Sequence, residues 1–176
     1  MLELEITYLA KTLPKGLGGY PYIELMDIYI PREAAHPHLR LRKKGNSYEM
    51  TKKTKVSEDD ASAHMEETIS LDEEEFNALA GAEGKRVCKF RYEFPYNGRI
   101  AEIDIFQDEL EGLVVVDFEF KTREELEAFA IPSFCLVDVT QEEFIAGGML
   151  CGKAYADIEE NLKRFGYEKM SFNSRN

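Results

Sequence analysis

Charged side chains in this sequence recur two residues apart, in pairs of one sign: Glu3 and Glu5, Arg40 and Arg42, Lys89 and Arg91, Asp117 and Glu119. Residues two apart in an extended chain project from the same face, so each pair concentrates one charge. Like charges held together repel unless something of opposite sign sits between them. Paired carboxylates offer hard oxygen ligands to Mg²⁺ or Mn²⁺. Paired guanidinium and ammonium groups offer forks and point charges to phosphate oxygens. A polyphosphate that carries its divalent metal needs both kinds of partner.

The same parity continues along the chain. A first extended segment contributes Glu3, Glu5 and Thr7, a third Arg40 and Arg42, and a fourth Glu49, Thr51, Lys53 and Lys55. A fifth contributes His64, Glu66 and Thr68, and a sixth Lys89, Arg91 and Glu93. Glu102 and Asp104 follow, then Asp117 and Glu119. The alternate positions are apolar: Leu4 and Ile6, Leu39 and Leu41, Phe90, Tyr92 and Phe94, Ile103 and Ile105, then Val116, Phe118 and Phe120. An ordinary antiparallel sheet with one solvated face also alternates. Here the polar face is almost wholly ionic and its signs are segregated by strand, which solvation alone does not require. Closing the sheet into a barrel would remove its edges and put the charges in the lumen. The apolar faces would then point outward beneath helices. That arrangement is inside-out for a soluble protein and makes sense around an ionic ligand.

The elements that must position these residues follow from the same pattern. Strands are predicted over residues 2–8, 22–30, 39–42, 48–55, 64–69, 87–94, 100–106 and 113–120, with a short further strand at 137–139. Pro14, Gly16, Gly18 and Gly19 make 11–21 a loop, and Gly45-Asn46, Asn97-Gly98 and residues 107–112 are turns. The acidic segment 57–62 has no apolar period and reads as a mobile loop or lid. Capping-box spacings at Ser70/Glu73, Thr122/Glu125 and Thr140/Glu143 announce helices. The first ends near Gly81 and the second before Pro132. A last helix over 153–165 carries Tyr155, Ile158, Leu162 and Phe165 on one stripe and stops at Gly166. The expected class is α+β, mainly antiparallel β, an eight-stranded closed barrel with peripheral helices in a single domain over 1–176.

The net charge of −12 argues against nucleic acid and anionic membranes as partners. Within it, residues 32–55 form a basic patch of Arg32, Arg40, Arg42, Lys43, Lys44, Lys52, Lys53 and Lys55 against only Glu33 and Glu49, which suits a small anion. No apolar run approaches the ~20 residues of a membrane helix, and the acidic, alternating start does not read as a secretory signal. Cys88, Cys135 and Cys151 fit no zinc spacing and are expected to be buried or half-buried free thiols, in keeping with a reducing, cytoplasmic location. His36 and His38, either side of Pro37, read as surface histidines, and Gly147-Gly148 as a helix end without the lysine of a phosphate loop. The first-turn run Glu73-Glu74-Glu75 reads as solvated, and the aromatic residues as core. The oligomeric state is left open.

Taken in order, these segments resemble the motifs of the CYTH, or triphosphate tunnel metalloenzyme, family. Glu3-Leu4-Glu5 resembles the opening of ExExK, Arg40-Leu41-Arg42 resembles RxR, and Met50-Thr51-Lys52-Lys53 resembles LTxK. Glu66 is similar to a glutamate of the following strand, Lys89-Phe90-Arg91-Tyr92 to KxRY, and Glu102-Ile103-Asp104-Ile105-Phe106 to ExDxF. Val116-Asp117-Phe118-Glu119 is similar to AExE, and Asp138-Val139-Thr140 to EVT. Thr7 stands where the family motif has lysine, Asp117 shortens a carboxylate, and His64 takes the place of a frequent second acid. The resemblance implies a triphosphate tunnel and hydrolysis of inorganic triphosphate or an organic triphosphate with Mg²⁺ or Mn²⁺. It implies metal ligation by Glu3, Glu5, Asp104, Asp117 and Glu119, with Glu66, and phosphate binding by Arg40, Arg42, Lys53, Lys89 and Arg91. Glu5, Lys53 and Arg91 are the residues expected to act in catalysis. Cyclisation of ATP, and polyphosphate binding with weak or no turnover because of Thr7, remain the alternatives.

Overall fold

The computed structural model describes residues 1–57, 59–81 and 85–171. Its strands are β1 (Leu2–Ala10), β2 (Tyr22–Ile30), β3 (Leu39–Lys44), β4 (Ser47–Ser57), β5 (Asp60–Leu71), β6 (Lys85–Tyr96), β7 (Arg99–Phe106), β8 (Val114–Phe120) and β9 (Cys135–Asp138). Eight of them close into an antiparallel barrel in the order β1-β5-β4-β3-β2-β6-β7-β8, with β8 returning to β1 and β9 lying outside against the end of β1. The register keeps the charged parity in phase from strand to strand. Glu3 lies opposite His64, Lys53 opposite Glu66, Arg91 opposite Asp104, Glu102 opposite Asp117, and Glu5 opposite Glu119. Tight turns hold that register: Asn97 and Gly98 both take positive φ, 48° and 77°, as a two-residue hairpin loop with the twist of its strands requires.

The expected lid at 57–62 is not a lid. Ser57 pairs with Asp60, so β4 and β5 meet in a short hairpin, of which Glu58 lies outside the described residues. Asp60 accepts from the Ser62 amide and hydroxyl at 2.9 and 2.6 Å and from Arg123 Nη2 at 2.8 Å, while the Ala61 amide donates to Gln141 at 2.9 Å. Acidic composition suggested mobility, but its carboxylate is spent on partners that come from elsewhere in the chain.

Among the described residues four short helices accompany the barrel: α1 (Glu73–Ala80), α2 (Arg123–Glu127), α3 (Gly147–Leu150) and α4 (Tyr155–Lys163). The cap of α1 is Asp72, not Ser70. Asp72 accepts from the Glu75 amide at 2.8 Å and Glu75 returns the bond to the Asp72 amide at 2.9 Å, whereas Ser70 is still paired with Glu49 in the sheet. Thr122 caps α2 as expected. Thr140 caps no helix: its hydroxyl donates to Asp138 and accepts from the Thr7 amide, and only a 3-10 turn follows at Glu143–Ile145.

Packing explains where the helices go. On the outer wall, Leu4, Ile6, Ile103, Val116 and Phe118 are buried with Leu126 and Phe129 at and beyond α2. Phe76 of α1 covers Ile28 and Leu41. At one end of the barrel the lumen face itself turns apolar. Leu9, Tyr29, Val87, Phe106 and Val115 share the parity of the lumen charges but are buried with Ile145, Leu150, Tyr155, Ile158 and Leu162. The α4 stripe therefore plugs one end of the barrel, where the sequence placed it over an outer wall. Cys135 and Cys151 are buried and Cys88 half-buried, all free thiols as expected. Among the described residues no helix is long and apolar enough to cross a membrane.

Candidate active site

The open part of the lumen is a cavity of about 440 Å³. Every residue singled out from the sequence as a metal ligand or phosphate contact lines it: Glu3, Glu5, Arg40, Arg42, Lys53, Glu66, Lys89, Arg91, Asp104, Asp117 and Glu119. Glu93 and Thr51, of the same parity, do not line it; Glu93 is exposed and Thr51 is buried against Thr68 at 3.0 Å.

Most of these charges are already paired. Arg42 donates through Nε and Nη2 to both oxygens of Asp27 at 2.7 Å, with both side chains buried. Burial opposes ionisation of Asp27, but the Arg42 charge and its hydrogen bonds outweigh it and hold the carboxyl at about 2. Arg91 donates from Nε and Nη2 to Asp104 at 2.6 Å and also bonds Glu102, and Lys89 shares Asp104. Lys53 donates to Glu3 at 2.6 Å and lies 4.0 Å from Glu66. Arg40 Nη2 stands 3.6 Å from Glu66 and 3.9 Å from Glu49, while its Nε is buried without a hydrogen-bond partner.

Glu5 and Glu119 stand outside these pairings, beside the Lys53-bound Glu3. Oxygens of Glu3, Glu5 and Glu119 lie within 4.8 Å of one another. Among the described residues, Glu5 and Glu119 make no side-chain hydrogen bond or ion pair. Burial, then the neighbouring Glu102, Glu3 and Glu5 carboxylates, pushes the Glu119 carboxyl up. These three are suited to a divalent cation by donor chemistry. The other sequence-predicted ligands are differently committed: Asp104 to Lys89 and Arg91, Glu66 to Arg40 and Lys53, and Asp117 to the Thr7 hydroxyl at 2.8 Å. Thr7 is itself held in place through its amide by Thr140 at 3.0 Å.

Several residues at the site escaped the sequence reading. Asp27, buried behind Arg42 and not itself lining the cavity, is the one acid among Ile23, Leu25 and Tyr29 on its face of β2. Tyr29 and Phe106 line the cavity although aromatics were assigned to the outer core, and Tyr20 and Tyr22 are 39% and 43% exposed. His36 and His38, expected at the surface, stack at 4.4 Å between ring centroids and line one end of the cavity.

A closed antiparallel tunnel with an ionic lumen is the class that the fold and site define. No family model matches the chain. A protein named inorganic triphosphatase from Nitrosomonas europaea is 33% identical over 147 residues, covering 81% of this chain and 92% of that protein. A solved structure of an inorganic triphosphatase is 30% identical, covers 85% of this chain and 93% of the other, and superposes with a TM-score of 0.62. The chain belongs to the CYTH, or triphosphate tunnel metalloenzyme, family.

Proposed function

We propose that this chain hydrolyses a phosphoanhydride bond of a small triphosphate, inorganic triphosphate above all, in the barrel lumen with Mg²⁺ or Mn²⁺. One observation carries the reading: three mutually repelling carboxylates stand in the same cavity as seven lysine and arginine side chains, one of which, Arg40, keeps a buried donor unmade. A buried donor without a partner is costly, and a phosphate oxygen would satisfy it. The triphosphatase relatives support the same substrate class.

Glu3, Glu5 and Glu119 would hold the cation, which supplies charge to a phosphoryl oxygen and lowers the pKa of a water. The chain's own groups do the rest. Arg40, Lys53, Lys89 and Arg91 bind phosphate oxygens and stabilise negative charge that builds in the transition state. Asp104 fixes Lys89 and Arg91 relative to each other, and Asp27 fixes Arg42, so the cations are held before substrate arrives. Glu5, whose side chain makes no hydrogen bond or ion pair among the described residues, orients the attacking water. The test is phosphate release from tripolyphosphate with Mg²⁺, with Mn²⁺ and with chelator. Release under either metal and none under chelator supports the reading; release unaffected by chelator removes the metal from it.

A second reading is favoured by Thr7. Its hydroxyl is tied to Asp117, so a neutral, hydrogen-bonded group occupies the position of the motif lysine. On this reading tripolyphosphate binds and turns over slowly or not at all. Thr7→Lys is then expected to raise the turnover rate; an unchanged or lower rate would count against it.

A further inference from the structure

All three histidines of the chain line the cavity, two of them together at one end. The lumen lysines and arginines and the His38 imidazole differ in their partners. Arg42, Lys53, Lys89 and Arg91 are hydrogen-bonded to carboxylates, and Arg40 lies within 4 Å of two. The side chains of Lys44, Lys55 and His38, by contrast, have neither a hydrogen bond nor an ion pair among the described residues, and Lys44 lies apart from the other two, at the far end of β3. Lys55 and His38 are neighbours through β4: the Lys53 amide donates to the His38 carbonyl at 3.3 Å, and Lys55 lies two residues further on the same face. Lys55 is opposite His64, which is opposite Glu3. Lys55 thus sits two strands from the carboxylate trio, about 10 Å at ~4.8 Å per strand.

His36 is fixed beneath His38. Its Nδ1 lies 3.3 Å from Glu143 Oε1, and its ring occupies space that only a glycine leaves: a Cβ on Gly148 would fall 2.9 Å from His36 Cδ2 and 2.4 Å from the Pro37 carbonyl. Burial, then the adjacent His38 ring, holds His36 below the usual histidine value. The pair is therefore a built feature and not a loose loop. Glu142 and Glu143 also line this end, and Glu143 is occupied by His36.

A terminal phosphate differs from an internal one in carrying more charge and more unshared oxygens. A compact ammonium and an imidazole donor suit it. We propose that His38 and Lys55, positioned by His36, form a terminal-phosphate subsite that gauges chain length: it grips the end phosphate of a triphosphate whose other end lies at the carboxylate trio, and a diphosphate held at the trio does not reach it. The inference rests on the triphosphate reading of the lumen and adds the residues that set length selectivity.

The test is calorimetric binding of tripolyphosphate and of pyrophosphate to the full chain and to His38→Gln, Lys55→Gln and Lys55→Arg. His38→Gln and Lys55→Gln are each expected to weaken tripolyphosphate about tenfold, the loss of one phosphate contact, and pyrophosphate by less than about twofold. Lys55→Arg should keep most of the selectivity. In the phosphate-release assay the same variants should raise KM with kcat little changed. Equal losses for both anions, or none, would overturn the subsite while leaving the triphosphate reading intact. Wild-type chain that binds neither anion would overturn both.

Discussion

Asp27 and Arg42 show how a residue-level interaction can be decisive and yet invisible in the sequence. Arg42 was legible because it repeats the parity of Arg40. Asp27 was not, because one acid in an apolar strand has no period, and its partner is supplied only by the register of β2 against β3. The consequence is testable through pH. The folded carboxyl is held near 2, below its ordinary 3.8, so the pair stabilises the fold above the ordinary value. That stability is lost as pH falls from 3.8 through about 2. Asp27→Asn leaves the Arg42 charge buried and unpaired, which should cost about 3–5 kcal/mol at neutral pH. It should also flatten the acid limb of a urea-denaturation series; a variant with wild-type stability at pH 7 would remove the pair from the account. The same logic narrows what was expected of the site. Seventeen lumen positions were legible from parity, but which carboxylates are spent on cations and which are left for a metal depends on contacts between strands far apart in sequence.

At the level of elements, alternation located every strand, while helix starts were less secure. Ser70/Glu73 and Asp72/Glu75 both have capping-box spacing, and the spacing cannot choose between them. Sheet pairing does: Ser70 is held opposite Glu49, and the chain is released to turn only after Leu71. Asp72→Ala should therefore cost about 1 kcal/mol of stability, and Ser70→Ala far less, measured by denaturant midpoint. The reverse order would return the cap to Ser70. Thr140/Glu143 failed for a related reason. Thr140 closes the end of β1 through the Thr7 amide, so its hydroxyl is not available to a following helix. The lid reading of 57–62 failed because Arg123 and Gln141, remote in sequence, fasten Asp60 and Ala61.

For the whole molecule, closure of the barrel was legible because an almost wholly ionic sheet face has nowhere to go but inward around a ligand. The plug was not. Its inward-facing Leu9, Phe106 and Val115 follow the charged residues in parity, and only the tertiary structure shows α4 entering from the end. Ile158 is fully buried there. Ile158→Ala should cost about 2–5 kcal/mol in a urea titration. A loss under about 0.5 kcal/mol, an exposed-site value, would mean that α4 does not close the barrel. The plug also leaves the carboxylate trio and the cations in one shared cavity, which is what the functional account requires. The most direct test is phosphate release from tripolyphosphate at saturating Mg²⁺ or Mn²⁺ by the wild-type chain and by Glu119→Gln side by side. The account expects metal-dependent release by the wild type and its loss in the variant, with the fold retained. Release by Glu119→Gln at the wild-type rate would contradict the assignment of the metal to Glu3, Glu5 and Glu119.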